Sequence, residues 1–599
     1  MAPKKIKARP SAGANPNIPG ISPTAQLPSI SPLSLLIWLY ILRLYNALNI
    51  ETFFQPDEYF QALEPAWAAA FGENSGAWIT WEWREHLRSS LHPLLFTGVY
   101  KVAGSYCNAL DLPAEVRSKI LLAAPKVLQA VFAACTDLFT YLLAGKMYGR
   151  QSPEATAALM LTILSPWQWF CSGRTFSNCL ETTLTVAALV LWPWDWFVHG
   201  VDSKKRDDNA VEGSQRHDLP FRLYPSLALA ALACILRPTN PIIWIALTGT
   251  LTWNRFVQPA VIPKLLVSAA ITGSVVLTFS IAADRAFYGE LVLPPLKFLQ
   301  FNVGQGLAGF YGVNRLAYYF TEGIGLLLIS ALPFALLELY YGLRLRDDRQ
   351  PGTPRVRSLR SILAYTVLID ILALSLISHK EVRFIYPLLP ILHVLAARPA
   401  AAFFHPTAIQ AQKYRGMLFT LGFALNLIVA QYSTGRHQRG VMDVMHYLRK
   451  EYEVRYQPPG PNHGNMTVGF LMPCHSTPWI SHFIHPEINA WALTCEPPLG
   501  LSGEQRRDYL DEADVFYADP AKWMQTNMAD VGRRGAAVGR SSKRAWPQYV
   551  AFFQQLEATM KSVLEGSEYK ECWRGFNTHW HDDWRRKGDV VVWCRGRQW

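Results

Sequence analysis

Two carboxylates stand side by side in "FFQPDEYFQALEPAW" (residues 53–67): Asp57 and Glu58, behind Pro56 and among aromatic side chains. A contrasting cluster stands in "SHKEVRF" (378–384), where His379, Lys380 and Arg383 surround Glu381. A positioned carboxylate can take a proton from a hydroxyl. Lys, Arg and His together suit a phosphate. Further polar groups stand in apolar surroundings: Trp81 in "TWEW" (80–83), Arg88 and His92 in "RSSLHP" (88–93), and Arg174 and Asn178 in "SGRTFSNCLET" (172–182). Arg237 in "LRPTNP" (236–241) and Tyr311 in the long 284–315 stretch complete the set. A base and a phosphate holder fit transfer from a lipid-phosphate donor to a sugar hydroxyl, provided one face of the molecule gathers them.

The gathering must be done by membrane helices. Of 599 residues, half are hydrophobic and only 17% charged, against about 25% in soluble domains. Apolar runs between residues 31 and 432 approach the roughly 20 residues that cross a bilayer. They predict an all-α polytopic membrane protein with about 11 transmembrane helices, near 33–49, 121–145, 154–169, 179–198, 223–236, 240–256, 262–283, 321–343, 361–378, 383–398 and 415–432. Basic loops at 146–150, 202–208, 254–256, 344–360 and 412–415 then fall on the side of the N-terminal tail, as Lys and Arg resist translocation. The net charge of +12 is thus accounted for by loops, and no nucleic acid partner is expected. Residues 1–30 read as a disordered cytosolic tail. Residues 31–432 form the membrane region, with a long first loop near 50–118 in which 88–104 reads as an interfacial helix. Residues 433–599 form a C-terminal α/β domain on the far side. All the candidate residues then share that face, and charges at membrane depth are costly enough to mark a site. Asp137 and Asp370, inside spans, read instead as helix–helix hydrogen bonders.

Four cysteines lie in the polar tail: Cys474, Cys495, Cys572 and Cys594. They are disulfide candidates whose pairing stays open. "NMT" makes Asn465 a glycosylation acceptor. Both features fit an oxidising, luminal compartment. "MPCHSTPWISHFIH" (472–485) lacks regular ligand spacing, and the denser "THWHDDW" (578–584), with His579, His581, Asp582 and Asp583, reads as a structural luminal motif, so no metal is expected.

"SHKEVRFIYPLLP" (378–390) resembles the signature of glycosyltransferase family 22, GT-C membrane enzymes that use dolichyl phosphate mannose. "PDEYFQALEPAW" resembles that family's first-loop acidic motif, and "GRTFSNCLET" and "LRPTNP" fit it. Within the family, "FYGVNRLAYYFTEGIG" (310–325), "LMPCHSTPW" (471–479), "LTCEPP" (493–498) and "FNTHWHDDWRRKGDVVVWC" (576–594) are similar to members that assemble GPI anchors. The resemblance implies a GT-C type fold and transfer of the third mannose, in alpha-1,2 linkage, from dolichyl phosphate mannose to the GPI precursor. It implies an inverting single displacement on the luminal side of the endoplasmic reticulum membrane, among that membrane's lipids and without a cofactor. Asp57 is then the base, with Glu58 its partner or second choice. His379, Lys380 and Arg383, with Arg174 and Arg237, hold the donor phosphate. Glu381, Trp81, Arg88, His92, Asn178 and Tyr311 contact substrate. The chain departs from the family pattern at Gln55, where His is frequent, and at Val382, where a second acidic residue is common. The alternatives are a family member extending lipid-linked oligosaccharide for N-glycosylation and, more distantly, a lipid or organic-anion transporter. A transporter would show internal repeats and charges near the midplane.

Overall fold

The computed structural model describes residues 31–194, 221–253, 261–304, 310, 312–344, 352–458, 464–501, 505, 506, 508–530 and 543–595. The 1–30 tail, the 202–208 loop and Tyr311 lie outside the described residues.

Four helices start where Ser or Thr precedes Pro, at Pro32, Pro153, Pro166 and Pro354. Ser31 accepts from the Ser34 backbone to open α1 (Pro32–Leu48), because a side-chain oxygen satisfies an amide that has no partner in the first turn. The first loop holds α2 (Glu64–Phe71) and α3 (Leu91–Ala109). Then follow α4 (Ala114–Tyr148), α5 (Pro153–Ile163), α6 (Pro166–Cys171), α7 (Ser177–Leu191), α8 (Leu223–Leu236), α9 (Pro241–Trp253), α10 (Val261–Tyr288), α11 (Leu332–Leu343), α12 (Pro354–Ser375), α13 (Leu389–Phe403) and α14 (Lys413–Gly435). Among the described residues, six stretches are long and apolar enough to cross a membrane: Ala114–Tyr148, Val261–Tyr288, Tyr319–Leu343, Pro354–Ser375, Val382–Phe403 and Lys413–Arg455. The protein is a predominantly helical, multi-pass membrane protein.

Helix occupies each of the 11 expected segments, with local breaks. The 154–169 segment splits because Ser165, capping the Gln168 amide, starts a new helix with Pro166. The 383–398 segment opens as a tight turn, Val382–Leu388, containing Pro387, which supplies no amide for a regular helix.

Arg43, which interrupts the first apolar run, is fully buried and pairs with Asp137 at 2.6 Å. Gln168 donates to Asp137 (2.9 Å) and accepts from the Tyr386 hydroxyl (2.5 Å). This chain fastens α1, α4 and α6 to the Val382–Leu388 turn, so Asp137 is structural. A lone buried charge would cost several kcal/mol, and the pairing offsets that.

After α14 come α15 (Gly440–Arg455) and five strands, β1 (Met466–Leu471), β2 (Ile488–Ala492), β3 (Tyr549–Phe553), β4 (Tyr569–Thr578) and β5 (Gly588–Arg595). Their order is β2-β1-β3-β5-β4. Both neighbours of β1 run parallel to it, and β5 runs antiparallel to β3 and β4. This α/β unit shares one core with the first loop: Phe60, Trp67 and Tyr100 pack with Val468, Phe470, Phe483 and Val590. Buried Glu64 accepts from the Trp78 and Ser481 amides (3.1 and 3.0 Å), tying the two parts together. Burial pushes its carboxyl up to about 7.

Of the cysteine candidates, Cys474 and Cys495 form a disulfide. Cys572 and Cys594 are not joined. They sit on β4 and β5, where Cys594 faces Lys570 across a bulge-shifted register and the Cys572 thiol meets the Val592 carbonyl. Asn465 is exposed just before β1.

Candidate active site

Asp57 and Glu58 start the first turn after Pro56, and their side chains diverge. Glu58 points inward. Its side chain is 11% exposed and meets Arg174, fully buried, at 3.0 Å. Arg174 also donates to the carbonyls of Phe170 (2.8 Å) and Thr52 (2.6 Å) and to the Thr52 hydroxyl (2.8 Å). Burial raises the Glu58 carboxyl above its ordinary range, and the Arg174 charge only partly opposes this.

Asp57 points outward. Its side chain is 23% exposed, and Oδ2 accepts from Arg383 at 2.6 Å. Arg383 also forks onto Glu381, with contacts of 2.7 and 2.8 Å. His379 Nε2 lies 3.0 Å from Glu381. Burial would raise the Glu381 carboxyl, but the Arg383 charge and the His379 bond outweigh it and hold Glu381 below the usual carboxylate range. The Arg383 guanidinium rests 5.5 Å from the rings of Phe176 and Phe384. Residues 326 positions apart thus meet in one charged chain, His379–Glu381–Arg383–Asp57.

Lys380 lies behind this chain. It is 3% exposed. Its amide and ammonium bond the side chain and carbonyl of Asn314 (3.0 and 3.2 Å), and the Asn314 amide returns to Ser378.

Arg88 is set by α10. Asp284 accepts from the Ser90 amide and hydroxyl (2.6 and 2.7 Å), pinning the start of α3, and Tyr288 donates to the Arg88 carbonyl at 2.6 Å. Arg88 meets Glu82 at 2.7 Å, and Gln61 donates to the same carboxylate. Arg237 stacks 5.4 Å from the Phe384 ring and lies 3.9 Å from Glu181. Arg88, Arg383 and Asp57 all lie within electrostatic range of it. The Nε–H groups of Arg88 and Arg237 are buried and unbonded among the described residues.

The model matching residues 34–485 is that of the Alg9-like mannosyltransferase family. The chain belongs to that family. A relative from Aspergillus fumigatus named GPI mannosyltransferase 3 is 46% identical over 98% of this chain and 80% of its own length. One from Mus musculus named GPI alpha-1,2-mannosyltransferase 3 is 31% identical over 93% of this chain and 88% of its own. The crystal structure of ArnT from Cupriavidus metallidurans bound to undecaprenyl phosphate superposes with a TM-score of 0.52 at 10% identity, covering 94% of this chain and 99% of that one. That likeness bears on the fold alone: this chain shares the overall helical membrane fold of that protein.

In this mannosyltransferase, the other sequence candidates take varied positions. Trp81, 8% exposed, sits 6.4 Å from the Phe301 ring. His92, 4% exposed, turns into α3 against Phe96, and burial pushes it down to about 3. Asn178 is buried and donates to Glu181 (3.3 Å), one helical turn on. Sequence reasoning missed Glu82, Gln61 and Asn314, polar residues that hold the arginines and the "SHKEVRF" turn. Their signal was proximity to the singled-out motifs, which spacing alone does not rank.

Proposed function

We propose that this mannosyltransferase adds the third mannose, in alpha-1,2 linkage, from dolichyl phosphate mannose to the GPI precursor. The reaction faces the lumen of the endoplasmic reticulum. The carrying observation is similarity over nearly the whole chain, C-terminal unit included, to relatives named for GPI mannose transfer. Extension of N-glycosylation oligosaccharides is not favoured.

In this reading Asp57 is the base. Arg383 occupies Oδ2, which leaves the exposed carboxylate edge for the acceptor hydroxyl. Its proton goes to Asp57 as the hydroxyl oxygen attacks the anomeric carbon and the lipid phosphate departs from the opposite face, inverting the centre. Glu58, locked to Arg174, shapes the turn and does not reach substrate. Arg174 and Lys380, whose donors are engaged inside the fold, brace the site. The donor phosphate falls to Arg237 and Arg88, with His379 and Arg383 at its edge. Donors aimed at developing phosphate charge typically contribute about 10²–10³ in rate each. The leaving group is a phosphate monoester, so the step calls for no cofactor.

The test is complementation of cells lacking the third GPI mannosyltransferase. Wild type should restore the three-mannose intermediate, and Asp57→Asn should stall at two. Persistence of the two-mannose species with well-expressed wild type would sink the assignment.

A further inference from the structure

Where the membrane region passes into the C-terminal unit, aromatic rings stack in the open. Tyr432, in the last turn of α14, stacks on Trp580 of the β4–β5 loop (5.2 Å between centroids, 13° between planes). His437 lies 5.7 Å from Trp580 at 28°, and His579 bonds the Tyr432 hydroxyl at 2.9 Å. Trp580 is 60% exposed and Trp584 58%. The loop is nevertheless well held. Thr578 donates to the Trp580 carbonyl (2.6 Å), Asp583 binds Arg585 through backbone and side chain, and Arg586 donates to the Cys474 carbonyl. With Phe576, 37% exposed and 4.7 Å from the His579 ring, the loop presents a cluster of exposed aromatic rings, and such a patch marks a contact surface.

The neighbouring helix says what covers it. Along α14, Phe419, Leu421, Phe423, Leu425, Leu427 and Ile428 are 44–66% exposed, and only 11% of its most apolar stretch is buried. This helix faces lipid. Eighteen residues separate Tyr414, itself 49% exposed, from Tyr432, about 27 Å of helix, close to the roughly 30 Å hydrocarbon layer. The two tyrosines stand where interfacial aromatics gather. Trp580, stacked on Tyr432, shares its depth. Arg436 and Lys587, both exposed, supply cations for lipid phosphates.

We infer that the β4–β5 loop is a membrane anchor: Trp580 inserts beside Tyr432 into the interfacial layer of a phospholipid bilayer. The anchored face is the one that carries Asp57. The end of α14 is bonded to the strand of chain leading to Asp57, with Thr52 Oγ1 donating to the Ser433 carbonyl (2.6 Å), Glu51 N to Thr434 (3.0 Å) and Phe53 N to Gln438 (3.0 Å). The C-terminal unit is thereby pinned to the membrane beside the site, whatever glycolipid the site elongates.

The full chain in phosphatidylcholine nanodiscs tests this. A genetically encoded acridone amino acid is placed at Trp580, at Arg436 as a depth reference, or at Val454. Val454 is 62% exposed and fourteen residues along α15, about 21 Å from its start. Doxyl-labelled phosphatidylcholine should extinguish the label at 580 as strongly as at 436 and leave 454 bright. Because that label replaces the ring in question, a second arm keeps it: brominated phosphatidylcholine should quench wild-type tryptophan emission more than that of Trp580→Phe. Quenching at 580 no greater than at 454, or equal quenching of wild type and Trp580→Phe, overturns the anchor.

Discussion

Glu58→Gln and Asp57→Asn are adjacent, isosteric changes that should fail in different ways. Glu58 and Arg174 form a pair with side chains 11% and 0% exposed. Removing one partner of a buried pair typically costs about 3–5 kcal/mol. Arg174 keeps three other acceptors, the Phe170 and Thr52 carbonyls and the Thr52 hydroxyl, so the lower end applies. A loss of about 3 kcal/mol is roughly a hundredfold in the folded-to-unfolded ratio. Arg383 is buried, but Asp57 is 23% exposed and Arg383 keeps both contacts to Glu381 when Asp57 becomes Asn, whose oxygen can still accept, so the loss should be about 1 kcal/mol. Asp57→Asn should therefore melt close to wild type, yet lose about 10²–10⁴ in turnover, the span expected for a missing general base. The assay is mannose transfer from dolichyl phosphate mannose to a two-mannose GPI acceptor, normalised to folded protein and paired with thermal melts. Glu58→Gln should melt early and retain most of its turnover per folded molecule. A Glu58→Gln protein that melts like wild type but loses a hundredfold in rate would move the base by one residue. An active Asp57→Asn protein would remove the base from this motif.

Three further outcomes follow from the same geometry. Arg237→Met should lower kcat by about 10²–10³, whereas Lys380→Met, which releases Asn314, should chiefly lower the melting temperature; equal rate losses would return Lys380 to the phosphate. Glu64 has a folded pKa raised to about 7 from an ordinary 4.5, so its contribution to stability is full below about 4.5 and is lost as pH rises through 7, a swing of about 3 kcal/mol. Melts of Glu64→Gln between pH 5 and 8 should lack that slope, and an unchanged slope would assign it elsewhere. Cys495→Ser opens a bridge spanning 21 residues, and the melting transition should weaken by about 3 kcal/mol, with transfer retained in the protein still folded.

The helices were legible because each apolar run stood out against basic loops, and the motifs because charged residues interrupted those runs. Arg43 shows where that logic stops. Its charge in an apolar run looked like any other interruption, and only its distance from Asp137 shows that it is structural. Arg174 is the converse case. By residue type it suits a phosphate, but four of its donors are engaged within the fold. Residue type tells which groups can bind a phosphate; the hydrogen bonds already made tell which are still available to do so. The same accounting separates Asp57 from Glu58, which residue type alone does not rank.

The shared core of the first loop and the C-terminal unit has a mechanical consequence. Phe60, three residues beyond Asp57, lies 4.3 Å from the His475 ring, which also packs 4.7 Å from Trp78. His475 adjoins the Cys474–Cys495 bridge. Burial, aided by the Arg586 charge, pushes its imidazole down to about 4, so it is neutral at physiological pH and packs as an aromatic ring. The turn bearing Asp57 is therefore held from the membrane side by Arg174 and from the other side by the C-terminal unit. A carboxylate fixed from both sides keeps its angle to an incoming hydroxyl, and for the base proposed above that orientation is a large part of what a single displacement needs. His475→Phe should preserve transfer because the ring remains, whereas His475→Ala should lower kcat with little change in donor KM. Equal losses for the two variants would mean that the imidazole acts by its chemistry and not by its shape.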